Sequence, residues 1–252
     1  AALHLAHDLG ADTLGIVNAK GSAIAREADM VLYTHAGPEI SVASTKAYMV
    51  QLAVFYLLAF RLSYVRGAIT EEQCMSYTEK LLGIPELIEK ILEKPETCQF
   101  AASRLVADEH LLYIGRGLDY ALSMEGSLKL KEISYIHSES YAAGELKHGT
   151  ISLITEDMPV IAVATQRDVL DKTVSNIKEV KSRGAFTIVV TREGTDFDKD
   201  VADILVTVPE TDDLLMPMTA VVPLQLIAYY TADLRGNDVD KPRNLAKSVT
   251  VE

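Results

Sequence analysis

The chain has 252 residues, of which 48% are hydrophobic, and this is enough for two modest domains that each have an apolar core. Its 24 basic and 36 acidic residues give a formal net charge of −12, which argues against binding to nucleic acid or to an anionic membrane surface. Local groups would have to hold an anionic small molecule against this overall field. The two cysteines, Cys74 and Cys98, lack the spacing of a metal or redox motif, so a reducing, cytoplasmic setting is expected.

The first 68 residues predict an α/β unit with the order helix, strand, short helix, strand, long helix. The apolar stretch at 47–60 is too short to span a membrane and is interrupted by Gln51 and two tyrosines, which favours a buried helix. Residues 69–107 are helical in pattern and charged, and Pro85 and Pro95 mark breaks in the pattern. We interpret them as a helical connector.

Residues 108–236 predict a larger α/β unit, and residues 237–252 form a tail without a helical period. The predicted elements are strand 110–114, helix 118–136, strand 160–165, helix 172–183, strand 186–191, short helix 198–202, strand 204–208 and helix 218–234. Short apolar strands that alternate with helices are typical of a parallel sheet covered on both faces.

The chain contains an internal repeat, because residues 10–61 match residues 184–235 without a gap. Ten positions are identical, where composition alone would give about three. The identical positions of the first copy are Gly10, Ala11, Thr13, Ala28, Asp29, Thr45, Gln51, Leu52, Tyr56 and Arg61. We interpret the match as a domain-sized duplication.

The second copy has additional elements at its front, namely strand 110–114, helix 118–136 and strand 160–165. The first copy lacks them, since residue 1 corresponds to residue 175 in the middle of a helix. A parallel sheet without its first strands would leave an edge and a core face uncovered. We therefore expect the first unit to be truncated at its N-terminus and the natural start to lie upstream.

A cluster of ionisable residues on the predicted helix 118–136 is the strongest chemical signal in the chain. Glu125, Lys129 and Glu132 lie at i, i+4 and i+7, so they share one helix face. If the chain folds back after residue 144, Glu145, Lys147 and His148 could approach them. A carboxylate, an ammonium and an imidazole in one place can move a proton beside a carbonyl group.

Each of these signals also has a purely structural interpretation. Residues 125, 129 and 132 could be a solvated helix face with ordinary ion pairs. Gly115-Arg116-Gly117 could hold a phosphate or serve close strand–helix packing. Ser44 or Thr45 could be a helix N-cap or an anion contact. His110 and His137, beside apolar residues, favour core or boundary positions, and the sequence shows no metal-ligand spacing.

Four segments resemble the isomerase region of the glutamine–fructose-6-phosphate aminotransferase family. They are Glu125-Gly-Ser-Leu-Lys-Leu-Lys-Glu-Ile-Ser-Tyr-Ile-His137, Tyr141-Ala-Ala-Gly-Glu-Leu-Lys-His-Gly149, Val42-Ala-Ser-Thr-Lys46 and the tail from Asp240 to Glu252. The resemblance implies an α/β fold with two tandem SIS-type three-layer units and parallel sheets. This agrees with the repeat.

The resemblance also implies a role for each catalytic candidate. Glu132 matches the acid/base that moves a proton between C1 and C2 of the open-chain sugar, and Lys129 matches an active-site lysine that could stabilise oxyanion charge. Lys247 matches the tail lysine that engages the C2 carbonyl. His148 matches the histidine that opens the sugar ring and acts from the neighbouring subunit of a homodimer.

The same resemblance implies sugar contacts at Ser44, Val42 and Ala246, no metal, and no organic cofactor. The parent protein would carry an upstream glutaminase domain and act on a sugar phosphate. The phosphate-binding loop of the family would fall just before Ala1, so we expect the 252-residue chain alone to be inactive. The corresponding residues of the second copy, 164–173, lack a Ser-x-Ser-Gly pattern and are not expected to bind phosphate.

One departure concerns the loop of His148, where Thr150 stands in place of the family's proline. Two alternatives also stay open. The chain could belong to another phosphosugar isomerase or deglycase of the SIS type, or it could be a non-catalytic phosphosugar-binding module. The long match of the C-terminal tail argues against the first. The joint presence of Glu132, Lys129, His148 and Lys247 argues against the second.

Overall fold

A computed structural model gives the fold of the chain and describes residues 1–195, 197–198 and 200–247. The chain divides by its internal contacts into two compact units. The first comprises residues 1–40 and 44–79, and the second comprises residues 41–43 and those from residue 80 onward. The boundaries suggested by the sequence, 1–68, 69–107, 108–236 and 237–252, stay a prediction, and residues 248–252 lie outside the described residues.

The first unit follows the predicted order of elements. Its elements are α1 (Ala2–Asp8), β1 (Leu14–Val17), α2 (Ala23–Glu27), β2 (Met30–Tyr33) and α3 (Lys46–Val65). The strands β1 and β2 pair in parallel, with Leu14 opposite Met30. Ser22 caps α2, because its hydroxyl accepts a hydrogen bond from the Ala25 N–H.

The helix α3 is exposed along most of its length, which contradicts the expectation of a buried helix at 47–60. Phe60 is its one buried residue, whereas Phe55, Leu62 and Val65 are more than half exposed. A two-stranded sheet offers too little surface to cover a helix of 20 residues. Within the described part of the chain, α3 is also the one helix long and apolar enough to cross a membrane, which by itself is weak evidence.

The connector predicted at 69–107 is helical, as expected. It consists of α4 (Glu71–Leu82), α5 (Ile84–Leu92) and α6 (Glu96–Leu105). Pro85 lies in the first turn of α5, where its missing N–H has no intrahelical partner to lose, and Pro95 precedes the first residue of α6. Both prolines therefore mark helix starts.

The second unit is built on a five-stranded parallel sheet. Its strands are β3 (His110–Gly115), β4 (His137–Ala142), β5 (Pro159–Ala164), β6 (Phe186–Arg192) and β7 (Ile204–Val208). Their order in the sheet is β4-β3-β5-β6-β7. Every residue of β5 is buried, as expected for a central strand with helices on both faces.

Three helices cover this sheet and complete a three-layer unit. They are α7 (Leu118–Ser134), α8 (Leu170–Lys181) and α9 (Met216–Leu234). One face packs on α8 through Ile177 and Val180. On the other face α7 meets α9, and Tyr113 of β3 and Leu224 of α9 lie against Gly126 of α7. The predicted fold class is therefore confirmed for this unit.

The two copies of the repeat share a hydrogen-bonded clamp between a threonine and an aspartate. In the first unit, the backbone N–H and the hydroxyl of Thr13 donate to one Asp29 oxygen at 2.8 and 2.7 Å. In the second, Thr187 donates in the same way to Asp203 at 2.7 and 3.1 Å. Each clamp links the start of one strand to the residue that precedes the next strand, β1 to β2 in the first unit and β6 to β7 in the second. The identical residues of the repeat therefore have the same structural task.

Two local predictions were wrong. A strand at β4 was not predicted, because its polar residues resemble a loop, yet β4 pairs with β3 as an edge strand. The short helix expected at 198–202 is absent from the described residues of that stretch, which are turns or irregular. The phenylalanine and the three aspartates at 197–203 give this stretch little helix propensity.

Candidate active site

The helix α7 starts at a tight turn that brings it close to β3. A Cβ atom at Gly115 would lie 2.5 Å from the backbone of Asp119, and Gly117 has a φ of +56°, a conformation that favours glycine. Arg116 donates from Nε to Asn176 of α8 at 3.0 Å. Close strand–helix packing accounts for Gly115 and the positive φ of the turn accounts for Gly117, so of the two interpretations of this turn the structure favours packing.

Small residues allow α7 to pack closely against α9 and β4. A Cβ atom at Gly126 would come within 2.9 Å of the Leu224 side chain. The hydroxyls of Ser123 and Ser127 hydrogen-bond to those of Ser140 and Ser138 on β4, at 2.7 and 3.0 Å. This close packing fixes the rotation of α7, and with it the direction of the ionisable face.

Glu125, Lys129 and Glu132 form a partly buried ionic cluster on α7. The Lys129 Nζ lies 2.6 Å from a Glu132 oxygen and 3.8 Å from a Glu125 oxygen. The side chain of Lys129 is only 6% exposed, compared with 13% for Glu125 and 22% for Glu132. An ordinary solvated helix face would be far more exposed, so that interpretation fails here.

Glu125 has the most perturbed acidity of the cluster. Burial raises the pKa of its carboxyl from 4.5 to about 7; Lys129 lowers the pKa, and Glu132 raises it. The buried Oε1 atom of Glu125 has no hydrogen-bond partner, although Lys129 lies within ion-pair distance. A carboxyl that titrates near neutrality, beside an ammonium and a second carboxylate, can exchange protons at physiological pH.

The C-terminal tail contacts residues 41 and 42. The Val42 N–H donates to the Asp240 carbonyl at 2.9 Å, and the Ser41 hydroxyl donates to the Val239 carbonyl at 3.2 Å. Lys247 donates from Nζ to the Ser41 carbonyl at 2.7 Å. The structure therefore places two predicted site residues, Val42 and Lys247, in one contact region of the second unit.

The remaining two predicted sugar contacts lie in loops. Ser44, in the first unit, donates its hydroxyl to Glu39 at 3.1 Å, and Glu39 also accepts from the Thr45 N–H at 3.0 Å. Ser44 is not the N-cap of α3; Thr45 holds that position, although its side chain makes no cap hydrogen bond. Ala246 is exposed in the tail, next to Lys247.

The residues after β4 do not approach the ionic cluster of their own chain, contrary to the expectation from the sequence. The strand β4 runs parallel to β3 and carries the chain roughly 16 Å along the sheet, at about 3.3 Å per residue. Residues 143–148 then form a 3₁₀ turn, where Gly144 lies against the Arg116 guanidinium at the start of α7. Lys147 pairs with Glu179 at 2.7 Å, and the exposed His148 lies 3.8 Å from Glu145.

The carboxyl ends of β3 and β5 are where a doubly wound sheet usually binds its ligand. Here the buried Asp119 carboxylate occupies that position. It accepts hydrogen bonds from the N–H groups of Thr165 and Gln166 at 2.7 and 3.1 Å, and from the Thr165 hydroxyl at 2.5 Å. Burial raises the pKa of Asp119 while these hydrogen bonds and Arg192 oppose the rise. The Asp119 carboxylate therefore accepts the hydrogen bonds from the N–H groups that a bound phosphate would need.

His110 and His137 were expected at core or boundary positions, and both are exposed. Their Nδ1 atoms lie 3.3 Å apart, across the register of β3 and β4. They line a cavity of about 550 Å³ at the amino ends of these strands, together with Glu139 and Asp157. No group of three or more potential metal ligands occurs among the described residues.

Sequence reasoning placed Glu125 on the ionic face but gave it no chemical role, because the perturbation of its pKa comes from tertiary burial. It also missed Tyr135, which ends α7 in a left-handed conformation with a φ of +64° and contacts Arg243 in the tail. A tyrosine where a helix usually ends in glycine could have drawn attention to this position.

Comparison with known proteins identifies the fold family. A family model described as SIS domain matches residues 1–61 and 104–234. The chain is similar to glutamine–fructose-6-phosphate aminotransferase (isomerizing) from Clostridium acetobutylicum, with 50% identity over 252 residues, and from Clostridium tetani, with 52% identity over 253 residues. In both cases the match covers 100% of this chain and 41% of the relative.

A solved structure agrees with these matches. The C-terminal domain of glucosamine-fructose-6-phosphate aminotransferase from Francisella tularensis superposes with a TM-score of 0.90 and 36% identity. The match covers 96% of this chain and 68% of that chain. Fold and sequence therefore point to one group of proteins: the chain belongs to the SIS domain family and is a relative of the C-terminal domain of glucosamine-fructose-6-phosphate aminotransferase.

Proposed function

We propose that the chain is the isomerase portion of an enzyme that makes glucosamine 6-phosphate from fructose 6-phosphate and glutamine-derived ammonia. The observation that carries the proposal is the buried Lys129 between Glu125 and Glu132. This arrangement occurs in a chain that is half identical, over its whole length, to aminotransferases whose names state the substrate. The chain spans 41% of the length of these relatives, so the activity belongs to a longer parent protein.

The reaction needs one carbon-bound proton to move. Ammonia adds to the C2 carbonyl of the open-chain ketose, and loss of water leaves an imine. A base then removes a proton from C1, and the electron pair of that C–H bond forms a C1–C2 double bond. The electron pair of the C2–N double bond moves to the nitrogen, which takes up a proton. Delivery of a proton to C2 and loss of the C1 hydroxyl proton give the amino aldose. Glu132 is the acid/base in this scheme, since a positioned carboxylate can first take and then return the proton.

The neighbouring residues supply charge and positioning. Lys129, 2.6 Å from Glu132, stabilises negative charge that develops on the substrate oxygen. Lys247 engages the C2 carbonyl from the tail, and His148 of the partner subunit opens the sugar ring in a homodimer. The position of His148 in a turn after β4, away from the ionic cluster of its own chain, supports an action in trans.

The other assignments complete the proposal. Val42, Ser44 and Ala246 contact the sugar, and proton transfer of this kind requires no metal or organic cofactor. The glutaminase domain that releases ammonia lies upstream in the parent protein, consistent with the greater length of the relatives. Both cysteines are free thiols, in keeping with a reducing cytoplasm.

The test is the substitution Glu132→Gln in the full-length gene product. The amide keeps the size of the side chain but cannot take a proton, so formation of glucosamine 6-phosphate should fall by about 10²- to 10⁴-fold. NMR should also show that the variant no longer exchanges the C1 proton of fructose 6-phosphate with deuterium from the solvent. This loss would locate the defect at the proton transfer.

The matched control is Glu89→Gln, which makes the same change at an exposed position of α5. It should leave both product formation and deuterium exchange unchanged. Wild-type rates in the Glu132→Gln protein would rule out the proposed acid/base.

A further inference from the structure

Tyr135 ends α7 in a conformation that a tyrosine seldom adopts. Its φ is +64° and its ψ is +13°, at the position that follows Ser134. A bulky residue in the left-handed region is an outlier, whereas glycine adopts this conformation without steric strain. Such strain persists where the surrounding structure enforces it, often at functional sites. The side chain of Tyr135 must therefore make contacts that a glycine could not.

Those contacts go to one residue of the C-terminal tail. The Tyr135 phenol oxygen accepts a hydrogen bond from the Arg243 backbone N–H at 2.8 Å. The guanidinium of the same arginine lies over the tyrosine ring, 4.1 Å from the ring centroid. A hydrogen bond and a cation–π contact thus bind the tail at one point.

The base of the tail is tied to the same end of α7. Arg235 donates to the Ser134 carbonyl at 2.7 Å, and Asn237 donates from its side-chain amide to the Ile133 carbonyl at 2.9 Å. These are carbonyls of the last helical turn, which have no partner within the helix. The tail therefore leaves α9 along the C-terminal end of α7.

The point of attachment lies between two proposed catalytic residues. Glu132 precedes Tyr135 by three residues on α7, and Lys247 follows Arg243 by four residues in the tail. Beyond Arg243, the Nζ of Lys247 reaches the Ser41 carbonyl. If Arg243 were released from Tyr135, the hydrogen bonds to residues 41 and 42 would be the contacts described above that still hold residues 238–247.

We propose that Tyr135 is a positioning residue that fastens the tail to the helix of the acid/base and so places Lys247 at the active site. The left-handed conformation directs the phenol ring toward the tail, and the contacts with Arg243 offset its strain. The inference rests on the proposed function for its catalytic consequence, while the attachment of the tail can be measured without any activity.

The first experiment follows release of the tail by trypsin cleavage after Arg243 in the 252-residue chain. Tyr135→Phe removes the hydrogen-bond acceptor and keeps the ring, so cleavage should accelerate about fivefold. Tyr135→Gly removes both contacts and relieves the strain, so cleavage should accelerate about 20-fold or more. An unchanged cleavage rate in Tyr135→Gly would overturn the proposal.

Two controls separate release of the tail from general effects. Tyr120→Phe removes a phenol from the same helix, and Asp157→Gly relieves a left-handed residue elsewhere in the second unit. Neither should change the cleavage rate. The melting temperature of Tyr135→Gly should stay close to that of the wild type, because relief of strain offsets the lost contacts.

The second experiment measures kinetics in the full-length gene product. Tyr135→Gly should lower kcat for glucosamine 6-phosphate formation at least about tenfold with a smaller change in KM, and Tyr135→Phe should restore part of the rate. Faster cleavage with unchanged kcat would overturn the positioning role. Absence of product with the wild-type protein would instead refute the proposed function, and the cleavage result would be unaffected.

Discussion

The side chain of Glu125 illustrates how burial sets chemistry at the scale of one residue. Its carboxyl is largely removed from water, and the neighbouring ammonium of Lys129 is closer to Glu132 than to Glu125. Desolvation therefore dominates, and the pKa rises to about 7. The ammonium of Lys129 lies between the two carboxylates, 2.6 Å from Glu132 and 3.8 Å from Glu125.

This raised pKa predicts a pH dependence of stability. Between pH 4.5 and 7 the folded protein keeps a proton on Glu125 that the unfolded chain releases, so the free energy of unfolding decreases as the pH rises through this window. Glu125→Gln removes the effect. The free energy of unfolding of Glu125→Gln minus that of the wild type should therefore be about 2 kcal/mol larger at pH 8 than at pH 5. This value allows for partial hydration of the carboxyl.

Urea denaturation at both pH values measures this difference, and the exposed variant Glu89→Gln serves as the control. If the stability of Glu125→Gln parallels that of the wild type at both pH values, the carboxyl titrates in its ordinary range.

At the scale of elements, the position of α7 depends on two close contacts made by glycines. Gly115 faces the backbone of Asp119, which cannot move without breaking the turn, while Gly126 faces side-chain atoms of Leu224 and Tyr113. The same extra methyl group therefore meets very different resistance at the two positions.

We predict that Gly115→Ala destabilises the fold more than Gly126→Ala does. The second substitution gains helix propensity of about 1 kcal/mol but must displace Leu224 and Tyr113, so a net loss of about 1–2 kcal/mol is expected. Gly115→Ala should cost about 3 kcal/mol or more, because the clash is with backbone atoms. Thermal unfolding ranks the two, and a reversed order would mean that α7 can shift away from β3.

The helices α3 and α9 show how the surroundings of an element decide its burial. Both are long and apolar and belong to equivalent positions of the repeat. Thirteen residues of α9 are buried, against one of α3. The difference arises because α9 packs against α5, α6 and α7, whereas the two-stranded sheet of the first unit is small.

At the scale of the whole molecule, the two units differ in the size of their cores. In residues 1–40 and 44–79, Val17 and Phe60 are the buried apolar residues, whereas the second unit buries most of β3, β5 and β6. Hydrophobic burial is the main favourable contribution to folding, so the second unit should hold most of the stability.

Amide hydrogen exchange tests this difference. The amides of β5 and β6 should exchange at least about 100-fold more slowly than those of β1 and β2, because opening of the first unit exposes little apolar surface. Equal protection in both units would indicate a single cooperative structure.

Much of the site could be read from the sequence because it depends on short-range order. The helical period places Glu125, Lys129 and Glu132 on one face, and the strands of the larger sheet follow from their apolar runs. The identical pairs of the repeat, such as Thr13–Asp29 and Thr187–Asp203, proved to be the same hydrogen-bonded clamp. The roles of Lys247, His148, Ser44, Val42 and Ala246 stay predictions.

Only the tertiary structure decided which groups meet and how far they are from water. The polar strand β4 forms because β3 offers it a partner, and it carries His148 away from Glu132. Burial, which no local pattern encodes, sets the pKa of Glu125. Sequence periodicity gives the face on which a side chain lies; contacts between distant segments determine its neighbours, and the neighbours determine its chemistry.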